Sequence, residues 1–219
     1  MQKKKTYAFI DASNLFYGGE KSLGWAIDYE RLAKYLKEKY FVSKIFYYAG
    51  IDIGKYQPEG EIDLDKLINH FEEELKKPDL TDAEILIIDR YIQRAKFYQK
   101  LEEFGFELKI KPVKIFGEGD SQTKKANCDV DLTFDLMRLM SQYSGLVILS
   151  GDGDFAPILT YLIKKGKKIQ ILARGQRTAK EIRQLAGGKF TDFMYLRRQL
   201  EFKKGSEKAN GTPKDAIHV

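Results

Sequence analysis

Short apolar runs alternate with helix-like segments along most of this chain, and this alternation limits the fold more than any other feature. Compact runs such as TYAFID (6–11) and LVILS (146–150) are typical of buried strands, whereas 29–40 repeats its leucines at helical spacing. The pattern predicts strands at 6–11, 44–51, 106–116, 146–150, 168–173 and 190–196, and helices at 29–40, 63–77, 94–105, 129–143, 155–166 and 178–186. It therefore predicts an α/β fold: an open, mainly parallel, doubly wound sheet of five or six strands with helices on both faces.

The predicted elements fit one domain. The chain has 219 residues, which is enough for a single α/β domain with a large core. We predict a basic N-terminal segment at 1–5, the domain at 6–202, and a disordered polar tail at 203–219 that is dispensable for chemistry. Residues 52–92 are predicted to form a helical excursion between strands, to which the sequence assigns no role.

Cysteine and histidine are too scarce for several classes of active site. The single cysteine excludes a disulfide framework and a cysteine-cluster zinc site. The two histidines are His70 and His218, the latter next to the end of the chain, which removes most Ser-His-Asp and His-zinc mechanisms. Carboxylates are therefore the groups expected to carry any polar catalysis.

Charge is distributed unevenly along a chain whose net charge is +6. Residues 52–90 hold 12 acids and 5 bases, whereas residues 91–202 hold 20 bases and 13 acids. The basic half favours a one-sided surface for a polyanion. The lysines at 164–168 fit a plain solvated surface equally well.

The N-terminus runs from a lysine triplet directly into the first predicted strand, without the apolar core of a signal peptide. No apolar run approaches the roughly 18 residues that a membrane span needs. We therefore expect no membrane segment and a cytoplasmic location.

Aspartates stand at positions that the predicted fold brings to one edge. Asp11 ends the first strand, and Asp152 and Asp154 follow the strand LVILS. Asp129 opens a helix between them in sequence, and strand ends and a helix start can converge on one rim. Converging carboxylates repel one another unless a divalent cation neutralises them, and an oxygen-only donor set suits Mg²⁺ or Mn²⁺. This pattern predicts a metal site for phosphoryl transfer chemistry.

Each of these acids also has a structural interpretation when taken alone. Asp11 could cap a turn, Asp152 begins a common Asp-Gly turn, and Asp129 could be a helix N-cap. The joint placement at one predicted edge favours a shared site over three separate caps.

Neighbouring residues divide into expected core and expected surface. We predict a solvent-facing Asp131 and a small, buried Cys128, and the pattern leaves Asp135 open. The aromatic residues Phe16, Tyr17 and Tyr91 are either core residues or stacking surfaces for unpaired bases.

Three sequence blocks resemble a known family. FIDASN (9–14), KKANCDVDLTFDLM (124–137) and VILSGDGDFAPILTYLIKKGKKIQIL (147–172) resemble, in order, the NYN domain in its LabA-like branch, a member of the PIN-like nuclease superfamily. The resemblance covers roughly residues 6–196. It implies a PIN-like α/β/α sheet and a metal-dependent ribonuclease that hydrolyses RNA phosphodiester bonds, with Mg²⁺ or Mn²⁺ as cofactor.

The resemblance also implies roles for particular residues. The implied metal ligands and catalytic acids are Asp11, Asp129, Asp152 and Asp154. The implied substrate-binding residues are Asn14 and Ser150, which would orient water or phosphate, and Lys124 and Lys125, which would contact substrate phosphate. RNA, in single-stranded form, is the implied partner, and the resemblance favours a homodimer.

Other functions remain open to different degrees. A non-catalytic RNA-binding or regulatory module that acts through a protein partner agrees with the nearly neutral body of the chain. A haloacid-dehalogenase-like phosphatase is disfavoured, because Ser13 stands where its nucleophile motif needs an acid. The chain has no P-loop, and no G-x-G-x-x-G follows the first strand, which disfavours nucleotide-binding folds.

Overall fold

The computed structural model describes residues 5–16, 21–116 and 123–203, with the backbone alone for 115–116 and 123–125. The predicted basic segment 1–5 and polar tail 203–219 lie almost wholly outside these described residues. Within them, no helix combines the length and the apolar character needed to cross a bilayer.

Six parallel strands form one sheet in the described part of the chain. They are β1 (Thr6–Asp11), β2 (Val42–Ile51), β3 (Phe106–Pro112), β6 (Gly145–Leu149), β7 (Lys168–Ala173) and β8 (Phe190–Asp192). Their order across the sheet is β3-β2-β1-β6-β7-β8, and every neighbouring pair is parallel. Two further strands, β4 (Lys114–Phe116) and β5 (Thr123–Lys125), form a separate antiparallel hairpin. The predicted open, doubly wound sheet is confirmed.

Helices cover both faces of this sheet. They are α1 (Ala12–Asn14), α2 (Lys21–Leu23), α3 (Tyr29–Tyr40), α4 (Leu64–Glu74), α5 (Asp82–Glu103), α6 (Asp129–Arg138), α7 (Ala156–Lys164), α8 (Lys180–Ala186) and α9 (Arg197–Leu200). The helices α3, α4, α5 and α9 contribute to the core on one face, and α6, α7 and α8 to the core on the other.

Strand β1 shows how the sheet separates these two cores. Ala8 and Ile10 belong to the core with α3, α4 and α5, while Tyr7 and Phe9 belong to the core with α6, α7 and α8. Successive side chains of a strand point to opposite faces, so a continuous apolar run buries both. Burial on both sides holds the end of β1 in place beside the end of β6.

The excursion predicted at 52–92 is the crossover from β2 to β3 and contains α4 and the first half of α5. The predicted helix 94–105 is therefore too short, because α5 begins at Asp82. Thr81 and Glu84 form a reciprocal capping box that starts the helix, with Glu84 N donating to Thr81 Oγ1 over 3.3 Å. The early turns lack a one-sided apolar pattern, since Ile85–Ile87 are exposed. The predicted end is confirmed, because Gly105 follows the helix with φ of +88°.

Two other predicted bounds are wrong for local reasons. The strand predicted at 106–116 divides at Pro112, after which the chain leaves the sheet and begins the β4–β5 hairpin. The helix predicted at 129–143 ends at Arg138, because the buried Tyr143 turns back and donates its hydroxyl to the Leu136 carbonyl over 2.7 Å.

The last predicted helix and strand are also shorter than expected. Helix α8 begins at Lys180, not at Thr178, whose hydroxyl donates to the Arg174 carbonyl over 2.8 Å. The segment predicted as a strand at 190–196 is β8 followed by a 3₁₀ turn at Phe193–Leu196.

Candidate functional site

The order in which strands are added to the sheet reverses at its centre, between β1 and β6. From β1 the chain builds outward through β2 to β3, and β6 then pairs with the other side of β1 and leads on to β7 and β8. Loops leaving the carboxyl ends of β1 and β6 consequently diverge, which opens a crevice of the kind where α/β proteins bind ligands. Asp11 ends β1 and Ser150 follows β6 at this crevice.

Asp11 is held rigidly between the two strand ends. Its side chain is buried, with the residue 7 % exposed. Oδ1 accepts a hydrogen bond from the backbone N–H of Asn14 over 3.1 Å, which caps the short helix α1. Oδ2 accepts from the Ser150 hydroxyl over 3.2 Å, and this bond links β1 to the loop after β6. The structural role predicted for Asp11 as a cap therefore coexists with its place at the crevice.

A chain of hydrogen bonds orders the loop after β6. Gly151 N donates to Asn14 Oδ1 over 2.9 Å, and Asp152 N donates to Ser150 Oγ over 3.2 Å. Asp152 in turn caps the 3₁₀ turn Gly153–Phe155 by accepting from Asp154 N over 3.0 Å. The contacts described for Asn14 and Ser150 are thus made within the protein, where they fix the loop that carries Asp152 and Asp154.

Asp129 approaches this loop from α6, of which it is the first residue. It is half-buried, and its backbone N–H donates to Asn127 Oδ1 over 2.8 Å. Partial burial raises the pKa of Asp129, and the charges of Asp152 and Asp154 raise it further. The hydrogen bond from Asn127 and the charge of Lys111 act in the opposite direction.

The pKa of the buried Asp11 is also raised. Burial raises the pKa of Asp11 to about 6, and the charges of Asp129 and Asp152 contribute in the same direction. Hydrogen bonds from Asn14 and Ser150 lower the pKa and only partly offset this effect. The charges of Asp129 and Asp152 thus act on Asp11, and those of Asp152 and Asp154 act on Asp129. The shared metal site at these four acids stays a prediction from the sequence.

The chemistry of this donor set fits a hard divalent cation. All four groups are carboxylates, and Mg²⁺ is commonly held by one or two carboxylates while it keeps several waters. Among the described residues, no three His, Cys, Asp or Glu side chains come close enough together to hold one ion. A cation that is bound partly through water fits this arrangement, because it needs fewer direct protein ligands and relieves the raised pKa of Asp11.

The predicted phosphate-binding lysines can be placed only by their backbone. Lys124 and Lys125 lie on β5, paired with Ile115 and Lys114 of β4, and their side chains are outside the described residues. A cation that the sequence analysis missed is Lys111, on β3, whose ammonium group pairs with Asp131. Its place near the carboxyl end of a strand was the signal that could have found it.

The other residues discussed from the sequence lie outside the acid cluster. Asp131 is exposed, as predicted, whereas Asp135 is buried and accepts from the Tyr48 hydroxyl over 2.9 Å. Arg138 of the same helix also donates to Asp135. The bond from Tyr48 of β2 makes this carboxylate an anchor between α6 and β2. Cys128 is half-buried instead of fully buried, and burial raises the pKa of its thiol to about 12.

Of the aromatic residues predicted to be core or stacking surfaces, Tyr91 is half-buried and packs on Phe71 with ring centroids 4.9 Å apart. Phe16 is half-buried beneath Lys21, and Tyr17 lies outside the described residues. An exposed aromatic residue does stand beside the acids, but it is Phe134 of α6, which the sequence analysis did not single out.

A second charged pair on the same edge was also missed. Arg174 follows β7, is 7 % exposed, and donates to Asp192 at the end of β8 over 3.1 Å. Its other terminal nitrogen donates to Gln176 over 3.0 Å. The loop after β7 contacts the loop after β6 through Thr178. The Thr178 Oγ1 atom would lie 2.7 Å from a Cβ placed on Gly151. Only a glycine at this position lets the two loops approach so closely.

Comparison with known proteins agrees with this architecture. The family model of the NYN domain matches residues 5–196. The low amplitude and bright protein LabA of Synechococcus elongatus is 24 % identical over 198 residues, which cover 88 % of this chain and 86 % of LabA.

Two solved structures align with this chain, and the first is similar in fold. A protein of unknown function from Vibrio parahaemolyticus, VPA0982, aligns with a TM-score of 0.56 and 18 % identity over 88 % of this chain and 96 % of its own. The D15 protein of bacteriophage T5, co-crystallised with metal ions, aligns with a TM-score of 0.44 and 13 % identity over 82 % of this chain and 59 % of its own. The match of the family model to residues 5–196, which is most of the chain, shows that this chain belongs to the NYN domain family.

Proposed function

We propose that this NYN domain is a ribonuclease that depends on Mg²⁺ or Mn²⁺ and hydrolyses phosphodiester bonds of single-stranded RNA at Asp11, Asp129, Asp152 and Asp154. The observation that carries the proposal is the position of Asp11, which is buried at the sheet crevice and is hydrogen-bonded to Ser150 in the loop that leads to Asp152 and Asp154. The charges of Asp129 and Asp152 add to burial in raising the pKa of Asp11. A protein that concentrates negative charge in this way gains from a bound cation.

The four acids would hold such a cation in two different ways. Asp11 and Asp152 are oriented by the hydrogen bonds within the crevice, so little rearrangement is needed when the site is filled. Asp129 and the exposed Asp154 stand at the rim, where they can hold waters or direct a water proton. A bound Mg²⁺ or Mn²⁺ would lower the pKa of a water and offset charge on the phosphate.

Basic residues beside the rim support binding of a phosphate backbone. Lys111 on β3 and the backbone positions of Lys124 and Lys125 on β5 lie in the part of the chain that leads into α6. Phosphate contacts of this kind position a nucleic acid without reading its sequence.

The test compares Asp152→Asn with the wild type on end-labelled, unstructured RNA in Mg²⁺ or Mn²⁺. We expect cleavage to fall on the order of a hundredfold or more, because several kcal/mol of charge stabilisation depend on the site. Asp131→Asn is the matched control, since Asp131 is exposed on α6 and outside the cluster. Equal cleavage by wild type and Asp152→Asn would contradict the proposal, and DNA of the same sequence tests the preference for RNA.

One observation favours a second candidate function, an RNA-binding or regulatory module without catalysis that acts through a protein partner. No three of the described acidic, histidine or cysteine side chains converge on one ion position. This function predicts that RNA stays bound in EDTA and that no product forms over hours. The homodimer and the cytoplasmic location remain predictions from the sequence.

A further inference from the structure

Helix α6 is apolar on its outward side as well as on its buried side. Leu132 and Leu136 pack into the core, yet Val130, Phe134 and Met137 are 74 %, 61 % and 39 % exposed. The exposed residues are spaced four and three positions apart, so they form one stripe along the helix. An apolar stripe facing solvent beside a polar site indicates a surface that contacts a ligand.

The upper end of this stripe forms one wall of a hollow of about 340 Å³. The hollow is lined by Val130, Thr133, Phe134 and Phe155, and its rim carries Asp129 and Asp154. Two of the four acids of the proposed site thus share a cavity with an exposed aromatic ring. Phe134 lies five residues after Asp129, or roughly 7 Å along the helix axis, a span that one nucleotide covers.

The ring of Phe134 is largely exposed and lies beside a cation that is itself fixed. The guanidinium of Arg138 lies 5.9 Å from the ring centroid, and Arg138 is itself fixed by its hydrogen bonds to Asp135. Phe155, which is buried, closes the bottom of the hollow and is fixed by the 3₁₀ turn that Asp152 caps. An aromatic platform with a neighbouring cation is the arrangement on which unpaired bases stack.

We propose that this hollow is a base-stacking subsite, in which one unpaired nucleobase of a single-stranded nucleic acid stacks on Phe134 while its phosphate lies at the cation that Asp129 and Asp154 would help to hold. The inference rests on the proposed function and names the residue that selects an unpaired base at the cleavage point. A paired base is already stacked within its duplex and is therefore excluded.

A nucleobase suits the hollow better than a second copy of the chain does. Covering the stripe with protein would bury the rim carboxylates Asp129 and Asp154 against another surface, and buried charges without partners are costly. A flat, neutral base fills the apolar part and leaves the rim open to water and cations.

The experiment measures binding of a short, fluorescein-labelled, single-stranded RNA with phosphorothioate linkages, so that cleavage does not change the signal. We expect Phe134→Ala to weaken binding about tenfold, the size of one stacking interaction. Phe134→Trp keeps an aromatic face and should bind like the wild type, whereas Phe134→Leu keeps apolar volume alone and should remain weak. Phe41→Ala is the matched control, because Phe41 is 81 % exposed at the start of β2, on the opposite edge of the sheet.

A second arm removes the base in place of the side chain. An abasic nucleotide scanned along the RNA should weaken binding to the wild type at one position and leave binding to Phe134→Ala unchanged there. Equal binding by Phe134→Ala and wild type, or an equal abasic effect on both, would overturn the subsite. So would a wild-type dimer that Phe134→Ala dissociates in sedimentation, since the stripe would then belong to a second copy.

Failure of the two proposals can be told apart. If Asp152→Asn cleaves RNA like the wild type but the base and Phe134 remain coupled in binding, the hydrolytic proposal fails and the subsite stands. If Asp152→Asn abolishes cleavage and no coupling is found, the subsite fails alone.

Discussion

Two strands, β1 and β8, end in an aspartate on the same edge of the sheet, and the surroundings of the two negative charges are opposite in sign. Asp192, at the end of β8, faces the guanidinium of the buried Arg174 at 3.1 Å. Asp11, at the end of β1, faces Asp129 and Asp152, which add negative charge to its surroundings. Both aspartates also cap a short helical turn that follows the strand.

The comparison shows that a strand-end aspartate is not functional by position alone. The local capping contact is the same in both places, so the difference lies in the charge that the rest of the fold supplies. At β7 and β8 the protein supplies its own cation, and the pair is a structural clasp. At β1 and β6 the charges of Asp129 and Asp152 instead raise the pKa of Asp11, and under the proposed function a cation from solution neutralises them.

We expect the largest change in stability when the ion pair between Arg174 and Asp192 is broken. Arg174→Met leaves Asp192 largely buried without its cation, so we expect the free energy of unfolding to fall by about 3–5 kcal/mol. Urea denaturation measures the change. Arg197→Met, which breaks the exposed pair with Glu201, is the control and should unfold at nearly the wild-type urea concentration. A small effect of Arg174→Met would remove the distinction between the two regions.

The acid cluster should respond to pH in the opposite sense from a stabilising ion pair. The pKa of Asp11 is about 6 in the folded protein, against 3.8 for a solvent-exposed aspartate in the unfolded chain. Below about pH 4 the carboxyl is protonated and its burial does not lower the free energy of unfolding. As the pH rises through 6, ionisation of the buried carboxyl lowers the free energy of unfolding of the metal-free protein by about 3 kcal/mol. Asp11→Asn should therefore be more stable than the wild type at pH 8 in EDTA, and its advantage should shrink by pH 4.

Urea denaturation at both pH values checks this result. Asp28→Asn serves as a contrast, because Asp28 is also a buried helix cap but is paired with Arg31 at 3.3 Å, and its loss should destabilise the protein. If Asp11→Asn were destabilising to the same extent at pH 4 and pH 8, the cluster would not be under electrostatic strain.

The contact between the two regions should give a smaller effect. In Gly151→Ala the new Cβ would lie 2.7 Å from Thr178 Oγ1 and 3.0 Å from Thr178 Cα, so the loop must shift. We expect a loss of about 1–3 kcal/mol together with slower RNA cleavage. In Gly153→Ala the nearest contact is the Ala179 side chain, at 3.2 Å, so this variant should cost less. Equal thermal unfolding of the two variants would show that this close approach does not matter.

The sequence was sufficient to predict that Asp11 and Asp152 lie at or just after the carboxyl ends of two strands. Asp11 and Asp152 follow continuous apolar runs, and parallel strands bring their carboxyl ends to one edge. The clasp was not predictable in this way, because Arg174 and Asp192 belong to different strand ends whose adjacency depends on the order β6-β7-β8. A single sequence carries no direct record of that order.

Phe134 was missed for a related reason. The periodicity of α6 is apolar on two sides, so it does not say which of Leu136 and Phe134 faces the core. The anchor of Asp135 to Tyr48 decides the orientation of the helix and leaves Phe134 outside. The start of α5 was missed because its cap, Thr81 with Glu84, precedes an apolar run that has no single buried face.

The proposed site requires that the acids near the ends of β1 and β6 bind a divalent cation. Calorimetric titration of Mn²⁺ into the wild type, Asp129→Asn and Asp131→Asn measures this binding. We expect saturable binding to the wild type and to Asp131→Asn, and binding at least about tenfold weaker to Asp129→Asn. No binding to the wild type, or equal binding by wild type and Asp129→Asn, would contradict it.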